Sequence, residues 1–456
     1  MYWSTPFTPG YTAVMHRRIM MVSMFISLCF LPAADGPDRA VIIDDRLEAG
    51  LIKIQVIEQS ETSLDLAYHA LFPGVYLDLF SSALLGAADQ GVAVRLLTDG
   101  MFGTLRGDRD LRRALQLHPG IEIRFYEPFS LLAPWRWNNR LHDKLLIADR
   151  SLLIMGGANI DDRYYLDIGT RDITYDREVL VLLDDPSQKH SSVLSQAEAY
   201  FNLLWHHPFT DDNPFKITQA QEARAWERRD ALQESVRSYR GEDPELFTPV
   251  DWKNRLVPTD QITLLSNPLE RGRKEPLLWR ELNELFSLAE KRIVIQSPYI
   301  IPNRAMRREI GEIQVDRITL LSNSLASSPN YPAMAGHANH RRMLARSTAD
   351  LYEYHGPGSI HGKSILIDEH ISAVGTFNID PRSTYFSTES MLVIESIPLA
   401  SQLEESLERI QQQSLLVADD LTYAYNPEVT PRQTGFFKRL FIALLQIITL
   451  PFTFLL

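Results

Sequence analysis

The chain is almost without cysteine: Cys29 is the single one in 456 residues. No disulfide framework and no thiolate metal site can be built from it. Positive charge is scarce too, with 46 Lys and Arg against 58 Asp and Glu and a net charge of −12. Proteins that grip nucleic acid are usually basic, so this balance weighs against a general nuclease and no nucleic-acid partner is expected. No cluster of His, Asp and Glu has metal-ligand spacing, so neither a metal nor another cofactor is expected. Long apolar runs occur only near the two ends. Ile19 to Leu31 spans 13 residues and Leu440 to Leu456 spans 17. Both fall short of the about 20 residues of a clean membrane span.

What the chain does have is one pattern written twice. His142-Asp143-Lys144-Leu145-Leu146-Ile147-Ala148-Asp149 leads to Gly156-Gly157-Ala158-Asn159. His361-Gly362-Lys363-Ser364-Ile365-Leu366-Ile367-Asp368 leads to Gly375-Thr376-Phe377-Asn378. In both copies Lys follows His by two residues, Asp follows Lys by five, Gly follows Asp by seven and Asn follows Gly by three. Residues two apart on a strand share a face, so each copy presents an imidazole beside an ammonium. The apolar runs behind them read as buried strands, and each Gly as a point where backbone comes close. Two histidines and two lysines can close around one phosphodiester. One imidazole attacks phosphorus, the other protonates the leaving oxygen, and ammonium groups and Asn amides hold the charged oxygens. A lone His-x-Lys would be an ordinary polar strand end. Two matched copies make His142, Lys144, Asp149, His361, Lys363 and Asp368 the candidate catalytic set, with Asn159 and Asn378 holding phosphate.

This doubled His-x-Lys-x4-Asp pattern resembles the signature of the phospholipase D superfamily, over roughly residues 40 to 425. Four stretches are more specifically similar to bacterial cardiolipin synthases of the shorter C-type branch. They are Gly375-Thr-Phe-Asn-Ile-Asp-Pro-Arg-Ser383, Asn323-Ser324-Leu325-Ala326, Gly156-Gly157-Ala158-Asn159-Ile160 and the Lys/Arg-led apolar C-terminus. The resemblance implies an α/β fold of two pseudo-twofold-related phospholipase D-like domains, each a mixed β-sheet flanked by helices. It implies a phosphatidyltransferase that makes cardiolipin from phosphatidylglycerol and a second phospholipid, phosphatidylethanolamine among the candidates, through a phosphohistidine. Hydrolysis, as a phospholipase D or phosphodiesterase, is the alternative. His142 is then the nucleophile and His361 the general acid and later base. The resemblance also implies that a carboxylate in each half orients that half's own histidine. Asp176, with Glu178 as its rival, fills this place in the first half and Glu389 in the second. Thr376 stands where Ser is commoner and keeps the supporting hydroxyl, whereas Tyr68-His69 replaces a usual pair of tyrosines.

Strand patterns alternate with helical ones on either side of each motif, the mark of a parallel-rich α/β layer. Strands are expected at Ser63 to Tyr68, Val92 to Leu97, Ile121 to Tyr126, Arg292 to Gln296 and Arg317 to Leu321, and helices at Leu77 to Ala88 and Leu282 to Lys291. Residues 36–215 and 261–430 form the two expected domains. Residues 216–260 read as a linker with a solvated helical arm. Residues 1–35, with Met15 a possible start and His16-Arg17-Arg18 before the apolar run, resemble a signal peptide or N-terminal anchor. The tail, residues 436–456, is expected to lie in the bilayer interface with Lys438 and Arg439 at the phosphate level. With these ends, the protein is expected at the periplasmic face of a bacterial inner membrane. Two further stretches stay open. Trp135 to Arg140 either meets a lipid headgroup or packs its loop. Arg304, Arg307 and Arg308, with His337, His340, Arg341 and Arg342, form either a face for anionic lipid or solvated helix surfaces.

Overall fold

The computed structural model describes residues 36–102, 108–167, 173–211, 217–450 and 452. The expected signal or anchor segment, residues 1–35, and residues 453–456 of the tail lie outside the described residues.

The first half contains β1 (Asp38–Ile43), β2 (Ser63–Tyr68), β3 (Ala93–Asp99), β4 (Ile121–Tyr126), β5 (Lys144–Ala148), β6 (Leu152–Gly156), β7 (Thr174–Tyr175), β8 (Glu178–Leu183), β9 (Thr210–Asp211) and β10 (Val257–Pro258). All but β7 join one sheet in the order β10-β1-β8-β6-β5-β2-β3-β4-β9. Strands β2, β3 and β4 run parallel, and β5 lies antiparallel to β2. The second half contains β11 (Gln261–Ser266), β12 (Arg292–Gln296), β13 (Arg317–Asn323), β14 (Ala349–Tyr354), β15 (Ser359–Ile360), β16 (Ser364–Ile367), β17 (Ile371–Gly375), β18 (Ser390–Glu395) and β19 (Ser414–Leu416). Its sheet order is β11-β18-β17-β16-β12-β13-β14-β19, with the same parallel trio and the same antiparallel motif strand. Apart from β10, which has no counterpart, the second sheet repeats the first strand for strand. Two large mixed sheets flanked by helices are therefore present, as the resemblance implies.

The strands are apolar enough to be covered on both faces. Outside the first sheet, the helices Arg46–Glu58 and Val75–Asp89 close one core around Ile52, Leu66, Phe80 and Leu146. Outside the second, Trp279, Phe286, Ile295 and Phe377 belong to a matching core. Between the sheets lies a third core. Leu145, Val181, Leu366, Val374 and Leu392 meet there with residues of the helices Val193–Trp205 and Ile397–Gln412. The inner faces of both halves thus share one apolar layer.

Two expectations shift. The predicted helix over Leu282 to Lys291 forms instead at Leu277–Phe286. It stops early because Asp368 accepts the backbone N–H groups of Glu290, Lys291 and Arg292. The helical arm, Gln219–Glu242, is docked on the first half: Ala225 and Leu232 are buried, and Arg228 pairs with Asp78 and Asp108. Strand β10 continues this return by pairing with β1.

Candidate active site

Each half builds its contribution from the same parts. Tyr68, the last residue of β2, pairs with Lys144, and Gln296, the last residue of β12, pairs with Ser364 beside Lys363. His142 and His361 therefore stand just ahead of the motif strands, at the carboxyl edge of the parallel trio. That is the usual edge for an α/β site. Lys144 Nζ donates to the His142 carbonyl at 2.6 Å, and Lys363 Nζ lies 2.7 Å from His361 Nδ1. The motif glycines have a steric cause. A Cβ on Gly156 would meet the Arg177 carbonyl at 2.3 Å, and one on Gly375 would meet the Ser390 carbonyl at 2.2 Å.

Asp149 and Asp368 do not belong to this site, which corrects the expectation that they are catalytic. Both sit at the far end of the motif strands, five residues from the lysines, or roughly 16 Å at ~3.3 Å per residue. Both turn the chain with left-handed backbone, φ 49° and 51°. Asp149 accepts the N–H groups of Glu61, Thr62 and Ser63 at 2.9, 2.7 and 3.0 Å. Asp368 does the same for residues 290 to 292 at 3.0, 2.8 and 2.9 Å. They pin each hairpin to its neighbouring strand.

The supporting carboxylates bring a second correction. His142 Nδ1 lies 2.9 Å from Glu389 Oε2, and His361 Nδ1 lies 2.5 Å from Asp176 Oδ2. Each histidine is backed by the carboxylate of the other half, not its own. The cause is a double crossing of the chain. Strand β7 pairs in parallel with β15, and His361 N donates to the Tyr175 carbonyl at 2.6 Å. In the mirror position Leu141 bridges to Thr388, and Thr388 N donates to the Arg140 carbonyl. The segment that enters each histidine thus runs beside the segment that enters the opposite carboxylate. Glu178, the rival to Asp176, is engaged elsewhere, in a buried pair with Lys53 at 2.8 Å. Thr376 Oγ1 donates to Glu389 Oε2 at 2.6 Å, so it supports the carboxylate and not phosphate directly.

Burial governs the charges here. Desolvation and the facing ammonium of Lys363 push Lys144 down to about 7, and desolvation lowers Lys363 to about 8. Desolvation and both lysines hold His142 well below the ordinary imidazole value. His361 falls to about 4 by burial and Lys363, against the pull of Asp176. Asp176 is held at about 2: burial raises it, but Lys363 and His361 outweigh that. Glu389 is pushed up to about 7 by burial, against Lys144 and Thr376. The site is thus a buried, electropositive socket that favours an anion. Asn159 and Asn378 extend it. Their amide oxygens are buried without a hydrogen-bond partner among the described residues. A side-chain amide that turns over presents N–H to an anion instead.

Several groups at the site carry no motif signal. Asp143, the middle residue of the first His-x-Lys, is buried and accepts from Thr388 at 2.5 Å, Ser390 at 2.6 Å and Tyr200 at 3.1 Å. It latches the second half to the first. Arg382 lies close enough to depress both His142 and His69. His69 packs edge-on to His142 with ring centroids 5.1 Å apart, its Nδ1 2.6 Å from the Leu141 carbonyl. The departure from paired tyrosines thus places a third imidazole at the site.

Paired His–Lys motifs on twin mixed sheets, meeting across a pseudo-twofold, define a phospholipase D-type fold and active site. More particularly, the chain belongs to the family described as "Cardiolipin synthase, PLD-like domain", whose model matches residues 53–205 and 282–411. It is 28% identical over 401 residues to cardiolipin synthase C of Escherichia coli (strain K12), covering 80% of this chain and 82% of the relative. An uncharacterized protein of Helicobacter pylori (strain ATCC 700392 / 26695) is 26% identical over 417 residues, with 82% and 80% covered. Among solved structures, the phosphatidylserine synthase of Haemophilus influenzae Rd KW20 shares the fold with a TM-score of 0.62 at 14% identity, over 91% of this chain and 95% of that one.

Proposed function

We infer that the protein transfers a phosphatidyl group from phosphatidylglycerol or another phospholipid to a lipid hydroxyl, forming cardiolipin. The observation that carries this is the crossed pair of histidine–carboxylate contacts, His142–Glu389 and His361–Asp176, around two buried lysines. His142 Nε2 attacks phosphorus while the bond to the leaving alcohol breaks, and His361 delivers the proton to that oxygen. A phosphohistidine and a neutral His361 result. The acceptor hydroxyl then gives its proton to His361 and attacks phosphorus, which releases His142. Lys144, Lys363, Asn159 and Asn378 hold the non-bridging oxygens throughout. The asymmetry of the carboxylates supports this order. Asp176 stays ionised and pulls His361 upward against burial and Lys363, so it favours the protonated acid once an anionic diester offsets the lysines. Glu389 titrates near neutrality, so it supports a cation less and suits a neutral nucleophile at His142.

We propose that this work takes place at the periplasmic face of an inner membrane; two apolar surfaces support action at a bilayer. The tail helix Phe436–Thr449 docks on the helix Tyr331–Ala345 through buried Ile442 and the Asn339–Gln446 pair, yet leaves Phe437 82% exposed. Lys438 donates to the Ala326 and Ser328 carbonyls, so it ties the helix down instead of standing at the lipid phosphate level. No described helix is long and apolar enough to cross a membrane. Leu131, Leu132 and Trp135 form a second exposed apolar surface, just ahead of His142. Labelled phosphatidylglycerol in mixed micelles tests the reading: cardiolipin and glycerol are expected, and phosphatidic acid as the main product would replace transfer by hydrolysis.

A further inference from the structure

Away from the catalytic histidines, a groove with a volume of about 1110 Å³ runs between the helices Arg304–Gly311 and Tyr331–Ala345. Its lining includes Arg273, Arg304, Arg307 and Arg308 and not one carboxylate. In a chain of net charge −12 that concentration is unusual. Arg308 comes no nearer than 4.0 Å to Glu312, and Arg273 sits over the Tyr385 ring at 4.2 Å. Arg304 and Arg307 have no ion pair among the described residues. Four guanidinium groups left this way repel one another and select an anion. The rest of the lining sets polar Asn303, Asn339 and His340 beside an apolar part that includes Met343 and Leu450. Leu450 follows the tail helix, and the Asn339–Gln446 pair joins the groove wall to that helix. The exposed apolar face of the tail is therefore continuous with the apolar part of the groove. Its other wall is Pro381–Tyr385, the helix that carries Arg382 beside His142.

Phosphate-binding cations above an apolar floor, joined to a face suited to acyl chains, match one ligand class. We propose that this groove binds a single anionic phospholipid, distinct from the one undergoing transfer, with its phosphate on Arg304, Arg307 and Arg308 and its first methylenes on Met343 and Leu450. The bound lipid seats the tail helix in the interface and selects anionic membrane. Solvent-exposed arginines on a helix face are the alternative, and a small-anion site is another. The proposal rests on the reading that the enzyme works on bilayer lipid, which cardiolipin formation in mixed micelles tests separately.

The test is vesicle co-sedimentation of the full chain with phosphatidylglycerol and with phosphatidylcholine vesicles. The triple variant R304Q/R307Q/R308Q is compared with the charge-matched control R237Q/K253Q/K291Q, whose sites lie on other exposed surfaces. Each lost charge at a membrane surface weakens binding several-fold. The groove triple should lose about tenfold or more in affinity for phosphatidylglycerol vesicles. The control should lose much less, and millimolar inorganic phosphate should not displace the wild type. R273Q, outside that helix, should shift binding in the same direction and guards against a folding defect in the triple, whose melting is checked first. Equal losses in both triples, an unchanged groove triple, or displacement by inorganic phosphate would each overturn the proposal.

Discussion

At the scale of single residues, the motif splits into two jobs that its spacing does not separate. His142, Lys144, His361 and Lys363 gather at one end of the motif strands, whereas Asp149 and Asp368 fasten the other. A carboxylate that accepts three backbone N–H groups leaves three donors unpaired when removed. Asp149→Ala should therefore cost about 1–3 kcal/mol of stability, measured by urea unfolding. Turnover of the protein that remains folded should stay within about threefold of wild type. A loss of about a hundredfold in kcat with unchanged unfolding would return Asp149 to the catalytic set.

At the scale of elements, the tail helix shows why its length and composition alone mislead. A strongly apolar C-terminus reads as a membrane segment, but one face is already occupied: Ile442 is buried, and the Phe441 ring meets Tyr331 at 5.9 Å. Deleting the whole tail would uncover the helix Tyr331–Ala345 and confuse anchoring with folding. The sharper variant changes only outward residues, F437S/L444S/I448S. Surface changes of this kind alter stability by about 0.5 kcal/mol or less each. Yet they remove a large part of the area available to lipid, so the variant should move from the vesicle pellet to the supernatant. If it sediments like wild type, the anchor is elsewhere, in the N-terminal run or the loop around Trp135.

At the scale of the whole molecule, the two halves are not two independent machines. Each supplies the other's histidine with its carboxylate, and the inner faces share one core. Substitutions should therefore act across the pseudo-twofold. Asp176→Asn removes support for the acid, His361, so it should slow transfer from a lipid with a poor leaving group about 10²-fold or more. A p-nitrophenyl leaving group needs little proton transfer and should recover most of that loss. Glu389→Gln weakens the nucleophile, so a good leaving group should recover little. Single-turnover kinetics with both substrates distinguishes the pair, and the opposite pattern would exchange the roles of His142 and His361.

The sequence by itself determined that a unit is duplicated, that each unit is α/β, and that imidazoles and ammonium groups serve one phosphate chemistry. Those properties are local: period-two apolar runs, fixed spacings and residue types. The family resemblance also marked Asp176, with Glu178 as its rival, and Glu389 as carboxylates of interest. What the sequence left undecided was partnership. Glu389 meets a histidine 247 residues away and Asp176 one 185 residues away, and no local pattern encodes which. The pairing of β7 with β15 and the bridge from Leu141 to Thr388 decide it. The motif aspartates were misread for the same reason. A spacing of five along a strand fixes the face on which a side chain lies but not the distance from the chemistry. Only the folded hairpin shows that Asp149 and Asp368 stand at its far end, holding backbone.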